Sequence, residues 1–445
     1  MSSSGKVSAK PAGMTAPAAM FNLVRAPAAP YNPPRGEPTH FNCPPPPPLM
    51  DVLIPPLYWA LLLIVTASTV YQLLCLVSAA DFFRAAARPP PSGPSFTPPV
   101  SVLKPLRGVD DGTESCLASF CRQDYPDYEV IFGVRDAADP AVALVARLRS
   151  RFPGRRIKLV VNPARVGASA KVSNLHNMLR AAEHETLVLS DCDARVGPDY
   201  LRAVVGPLAD RGTGLVTCLY RPTGHTNFAA LMEALGLTGE FALGVLVARR
   251  LDGVKFAFGA SIATRRGVLE GFGGFAAIAD YLGDDFLVGN LTAAAGYRVE
   301  LSPYVVETFI PRYRWGEMFR HQLRWARSTR HRRPLGYLGL LFTHTAPLAF
   351  LALALFPAAG PARAAGLAGL ATRFLAAWLI GCVGFRDLCL RRYFYLLPAR
   401  DLLSFVVWLV GFAGNTVHWC GDRYRLEARG RLVPLAPEGG AGTQK

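Results

Sequence analysis

The chain has 445 residues, of which 51% are hydrophobic and 18% charged, and its mean hydropathy is positive at +0.22. That balance excludes a disordered or wholly water-exposed protein and points to membrane segments beside a soluble domain. Lys and Arg number 48 against 32 acids, a net charge of +16, and because arginines cluster beside apolar runs the excess reads as contact with an anionic membrane face, not with nucleic acid. Residues 1–50 are rich in Pro, Ala and Ser and end in Pro44 to Pro48, a composition that buries no core and is expected to be disordered. Met50 stands just before the first apolar run, so residues 1–49 are either a mis-assigned start or a dispensable tail. Residues 52–80 carry no formal charge and form a first transmembrane helix, since 57–79 alone can cross a hydrocarbon core of about 30 Å. The run is too long for a cleaved signal peptide. Asp51 before it and Arg84 and Arg88 after it put the following domain in the cytoplasm. Residues 89–99 read as a stiff Pro-rich linker.

From residue 98 to 333 the texture is that of a soluble α/β domain. Strands are expected at 100–103, 128–134, 157–161, 186–190 and 215–219, and helices at 113–122, 141–151, 171–182 and 286–295. Strands alternating with helices at this spacing imply a mostly parallel, doubly wound, Rossmann-like sheet. Residues 228–250 are apolar but broken by Glu233 and Glu240, which suits either an interfacial or re-entrant helix or a buried core helix. The Arg-dense segment 312–333 precedes three further candidate spans, 334–362, 364–385 (which contains Arg373) and 402–421. Together they define a C-terminal transmembrane region over 334–421 and a tail over 422–445. Three spans place the C-terminus outside, while Arg423, Arg425, Arg429 and Arg431 favour inside. The nine cysteines form no CxxC pair and no His/Cys ladder, so they read as free thiols on the reducing side of a membrane.

The apolar run Leu187–Leu189 ends in Ser190-Asp191-Cys192-Asp193. Two carboxylates at i and i+2 after a buried strand can share one hard divalent cation, and that cation can hold a diphosphate. Asp is also common in turns, so the pair gains weight only from its company. Asp136 ends an earlier strand, where a carboxylate can meet a base or ribose. Asp284 and Asp285 open a helix, where they either complement its dipole or supply a general base, two adjacent acids tending to raise one pKa. In His321-Gln322-Leu323-Arg324-Trp325 the guanidinium suits a diphosphate and the indole an apolar wall. Most arginines of 312–333 read as a membrane-surface face.

Asp136, Asp191/Asp193, Asp285 and Arg324-Trp325 stand in one order, joined by SVLKPLRGVD (101–110), DYPDYEVIFGVRDAADPA (124–141), KVSNL (171–175), GPDYL (197–201), the 271–275 turn, HQLRW (321–325) and GDRYRL (421–426). This series, over about residues 52–432, resembles the family 2-like inverting glycosyltransferases with a GT-A fold. More narrowly it looks like ceramide glucosyltransferases and their bacterial relatives, the hopanoid-biosynthesis-associated glycosyltransferases. The resemblance implies a multi-pass protein of a bacterial inner membrane that transfers a hexose or N-acetylhexosamine from a UDP-sugar to a ceramide- or hopanoid-type lipid. It further implies that Asp136 sits near the uridine, that Lys171 and Asn174 contact the nucleotide, and that Asp191 and Asp193 hold Mg2+ or Mn2+. Asp285 becomes the catalytic base with Asp284 beside it, and Arg324 and Trp325 belong to the (Q/R)xxRW signature. His321 stands where that signature has Gln or Arg, a departure that makes its charge depend on pH. A processive polysaccharide synthase, a non-catalytic UDP-sugar- or lipid-binding scaffold and a polybasic membrane adaptor are the competing readings.

Overall fold

The computed structural model describes residues 49–87, 96–419 and 422–435; most of the 89–99 linker lies outside them, as does the disorder expected over residues 1–50 apart from Leu49 and Met50, which begin a helix. Eight strands form one sheet in the order β3-β2-β1-β4-β7-β6-β8-β5, where β1 is Val100–Pro105, β2 Tyr128–Val134, β3 Arg156–Val161, β4 Thr186–Leu189, β5 Ala194–Arg195, β6 Thr213–Thr223, β7 Ile262–Arg265 and β8 Arg298–Phe309. The period of two sorts β1 between two cores. Val100 and Val102 pack with Leu117, Phe120, Leu144 and Leu148. Leu103, one residue further on, packs on the other face with Val172, Leu175, Met178 and Val288. Both faces are therefore covered by helices, as a mostly parallel sheet requires.

The expected doubly wound sheet is present at β1–β4, whose ladders are all parallel. Beyond β4 the pattern departs from expectation. β7 pairs antiparallel with both β4 and β6, while β6 and β8 run parallel. This reversal brings the loop leading into β7 beside the carboxyl end of β4, where a parallel strand would have put its own far end.

Among the described residues four helices are long and apolar enough to cross a membrane: Ile54–Ala86, Phe228–Asp252, Gly360–Gly384 and Phe394–Gly411. The second has 83% of its apolar window buried and so behaves as a core helix, with a π-turn at Leu237–Phe241. The uncharged run read as one span over 334–362 is instead two helices, Pro334–Thr343 and Thr345–Leu355, bent by 57°. The span drawn over 402–421 is also corrected. Its helix ends at Gly411, and the chain turns into a three-stranded sheet of β9 (Thr416–Trp419), β10 (Asp422–Leu426) and β11 (Leu432–Pro434). Much of the supposed 422–445 tail is thus ordered. Tyr424, Leu426 and Leu432 bury Leu282, and Leu432 N–H donates to the Asp280 carbonyl at 2.7 Å while Leu282 N–H donates to that of Gly430 at 3.0 Å. The sheet therefore braces the loop before Asp284.

Arg373, the charge inside Gly360–Gly384, is tolerated because its Nε and Nη2 meet the two carboxylate oxygens of Asp401 at 2.9 and 2.6 Å. A fork-to-carboxylate pair satisfies both ions where water is absent. Arg373→Met should therefore strand the Asp401 charge and destabilise the protein by about 3–5 kcal/mol. Arg373→Met/Asp401→Leu should recover most of that loss, as read by thermal unfolding in detergent.

Candidate functional site

The Asp191–Asp193 turn leaves the sheet at its carboxyl edge, where open α/β sheets form ligand crevices. Neighbouring elements pin its backbone. Ser190 N–H donates to the Leu103 carbonyl at 3.2 Å, and the Asp193 carbonyl accepts from Phe309 N–H at the end of β8 at 2.9 Å. Lys104, wholly buried, donates from Nζ to the Asp191 carbonyl at 2.7 Å and to Ser190 Oγ at 3.1 Å. Its ammonium lies 3.6 Å from the centre of the Phe120 ring, and burial pulls its pKa down to about 8. The sequence reading passed over Lys104, although the motif 101–110 contains it; a lysine at the end of an apolar strand was the available signal.

The loop leading into the reversed strand β7 supplies the next link. Gly259 accepts from Asp191 N–H at 2.9 Å and donates its own N–H to Asp285 Oδ2 at 3.0 Å. One peptide segment thus ties the two acidic motifs, which are almost a hundred residues apart in sequence. A Cβ at this position would fall 2.3 Å from Asp191 Oδ2, so only glycine admits the contact. Gly283, at φ +72°, turns the chain into helix Asp284–Ala294, and Asp285 Oδ1 accepts from Phe286 N–H at 2.8 Å. Both acids sit in the first turn, where they also complement the dipole.

Lys171, in the first turn of helix Ala170–Leu179, reaches Asp191 Oδ1 at 2.7 Å and Asp284 Oδ2 at 3.0 Å. Lys171, expected at the nucleotide, thus also bridges the two acidic motifs. Burial works against its charge, but the carboxylates of Asp191, Asp284 and Asp285 hold the ammonium well above its usual range. Asn174 is buried and donates to the Gly133 carbonyl at 2.8 Å, which ties its helix to β2. Asp136 is exposed at the end of β2 and accepts from Ala138 N–H at 2.9 Å, so the turn role weighed for it is also present. His321 Nδ1 lies 2.9 Å from Glu233 Oε1, and its ring stands 4.5 Å from that of Trp325.

A single cavity of about 1760 Å³ brings together all ten residues singled out from the sequence: Asp136, Lys171, Asn174, Asp191, Asp193, Asp284, Asp285, His321, Arg324 and Trp325. Two things were missed. Arg332 lines the same cavity, its guanidinium 5.1 Å from the Phe286 ring and its Nε and Nη2 without a hydrogen-bond partner. Nor are all the arginines of 312–333 free for a membrane surface. Arg327 and Arg330 bind the carbonyls of Ala413, Gly411 and Gly414 at 2.6–3.2 Å, closing the end of helix Leu397–Gly411.

Depth within the cavity, then Asp191 beside it, push the Asp193 carboxyl up to about 7. Burial, then Asp284, raise Asp285 as well. Excess negative charge on hard oxygen donors at a turn is what a divalent cation relieves, so the Asp191–Asp193 pair fits such an ion. A second group, Glu129, Glu183 and His184, also has its donor atoms close together. It lies at the opposite, amino edge of the strands, and Lys158 already bridges Glu129, at 2.7 Å, and Glu183.

The model of glycosyl transferase family 21 matches residues 59–432, most of the chain, and the protein belongs to that family. Ceramide glucosyltransferase 1 of Caenorhabditis elegans is 26% identical over 208 residues, covering 46% of this chain and 44% of the relative. A ceramide glucosyltransferase of Komagataella phaffii is 30% identical over 101 residues, covering 22% and 20%. The chain thus aligns with less than half the length of these curated relatives. Among solved structures, a mannosyltransferase from Pyrobaculum calidifontis in complex with GDP-Man and Mn2+ is 23% identical, covering 78% of this chain and 99% of that one, with a TM-score of 0.49.

Gly259→Ala should displace the Asp191 carboxylate and weaken Mn2+ binding at least about tenfold, with the fold retained. Calorimetric titration of the purified full chain with Mn2+ checks this.

Proposed function

We propose that this protein is a membrane-bound inverting glycosyltransferase of GT-A type that moves a hexose or N-acetylhexosamine from a UDP-sugar to a hydroxyl of a membrane lipid of ceramide or hopanoid type. The observation that carries the reading is the convergence of the Asp191–Asp193 turn and the Asp284–Asp285 pair on one cavity, joined through Gly259 and Lys171. The same cavity continues between helices of the apolar region, past Tyr337, His344 and Trp408, which suits an acceptor with a polar head and an apolar body. We place the α/β domain on the cytoplasmic side of a bacterial inner membrane, since the basic segment 312–333 lies just before the apolar helices.

In this reading Asp136, at the exposed end of β2, meets the uridine, and Arg324 and Arg332 bring guanidinium groups to the diphosphate. Asp191 and Asp193 would hold Mg2+ or Mn2+, and such an ion would supply Lewis-acid charge neutralisation for the diphosphate. Asp285 takes the proton from the acceptor hydroxyl while its oxygen bonds to the anomeric carbon from the face opposite the leaving group. The bond from that carbon to the diphosphate oxygen breaks, and UDP leaves with the electron pair. The raised affinity of Asp285 for a proton suits a base. Trp325, 41% exposed, forms the wall over which the lipid head arrives, and Glu233 fixes the ring of His321 beside it.

Membranes containing the protein, incubated with labelled UDP-sugars and extracted with organic solvent, should yield label in one discrete lipid. Label in insoluble polymer, or none, would sink the reading. Asp285→Asn keeps an oxygen for Gly259 N–H, so it should cut turnover by about 10²–10⁴-fold, the range of one general base, with UDP-sugar affinity within about twofold. Asp191→Ala should instead abolish the dependence of UDP affinity on Mg2+ or Mn2+, measured with and without chelator.

A further inference from the structure

The apolar helix Phe228–Asp252 carries two acids in its interior, and the candidate chemistry uses only Glu233. The second, Glu240, sits in the π-turn Leu237–Phe241, an irregularity that re-aims a side chain and often marks a working site. It lines the cavity together with Arg400 and Ser404, from the helix Leu397–Gly411, and His344, from the bend between Pro334–Thr343 and Thr345–Leu355. Ser404 Oγ donates to Glu240 Oε1, and Arg400 Nη2 lies 3.4 Å from Glu240 Oε2. Gly236 makes room for this arginine, since a Cβ there would fall 2.3 Å from Arg400 Nη2.

The cluster is not complete by itself. Arg400 and His344 are each only 6% exposed, yet Arg400 Nε and Nη1 and His344 Nε2 have no hydrogen-bond partner. Buried donors left open in an apolar surround are costly. The charges, by contrast, are balanced: Arg400 faces Glu240, and the adjoining Arg373 is paired with Asp401. What the cluster lacks is therefore neutral hydrogen-bonding oxygen, not a counter-charge. Its position follows from a chain of rings. Phe241, next to Glu240, is 5.2 Å from Phe258, next to Gly259, and 5.4 Å from Tyr220. This apolar wall runs along the cavity from the carboxylate site to the Glu240 cluster.

We propose that Glu240, Arg400, Ser404 and His344 form a second recognition site for the acceptor. It selects a neutral lipid that carries a hydrogen-bonding oxygen in addition to the hydroxyl that reacts. The aromatic wall holds the apolar atoms between the two oxygens. The proposal rests on reading the cavity as a sugar-transfer site, but binding tests it without any transfer.

The test uses the full chain in detergent micelles and two photoreactive lipids with the same chain, one a primary alcohol and the other the corresponding 1,3-diol. The wild-type protein should bind the diol about tenfold more tightly, with crosslinks in 337–344 and 400–408. Glu240→Gln/Arg400→Gln, which removes both charges together, should bring the diol down to the alcohol, with UDP affinity unchanged as the control for folding. Ser404→Ala, a milder change, should lose about threefold of the preference. Equal binding of the two lipids by the wild type, a preference that survives in both variants, or stronger labelling by an anionic phospholipid analogue than by the diol would overturn the proposal. Failure to transfer sugar would overturn the proposed function while leaving this binding ratio measurable, so the two fail separately.

Discussion

Four carboxylates crowd one cavity, and their mutual repulsion is the constraint to which the surrounding fold answers. Asp191, Asp193, Asp284 and Asp285 come from the end of a strand and the start of a helix, far apart in sequence. Unrelieved, they would drive those junctions apart or take up protons. Lys171 lies between the motifs, Lys104 holds the backbone of the first from beneath, and Gly259 hydrogen-bonds to both. Burial, and then the charge left over, raise Asp193 and Asp285. That residue of negative potential is what equips the site for a cation and a proton acceptor, so its tension serves the chemistry we propose.

Much of this was legible because the site sits where apolar runs stop. Strand 128–134 was read to the residue, and the turn after Leu189 was identified by its abrupt change to carboxylates. The second acidic pair carried a helix-start signature that served structure and chemistry alike. β7 was not legible. It has four residues, one of them arginine, with no useful alternation, and its direction is fixed only by pairing with β4 and β6. Gly259 and its links therefore could not be foreseen. Lys171 was singled out for this cavity, but its bridge to Asp191 and Asp284 was not, since which carboxylates a lysine reaches depends on how helix and loop pack.

The apolar half was harder. Hydropathy sees length, and it joined 334–362 across a 57° bend and extended 402–421 into a strand. Arg373 looked like an argument against a span, yet Asp401 on a neighbouring helix satisfies it. The arginines of 312–333 looked like a membrane-facing patch because composition cannot distinguish a lipid phosphate from the open carbonyls at 411–414, to which Arg327 and Arg330 in fact bind.

The small C-terminal sheet also fixes a parity. Its strands rest on Leu282, so the polypeptide re-emerges after Gly411 on the side of the α/β domain, the side from which it departed at Arg333. Whichever helices traverse a bilayer between those two points, an even number must do so. Three candidates occupy the interval: the bent pair, Gly360–Gly384 and Phe394–Gly411. If the last two are the traverses, the kinked hairpin at His344 dips in and returns, and it carries an imidazole into the layer without carrying the backbone through.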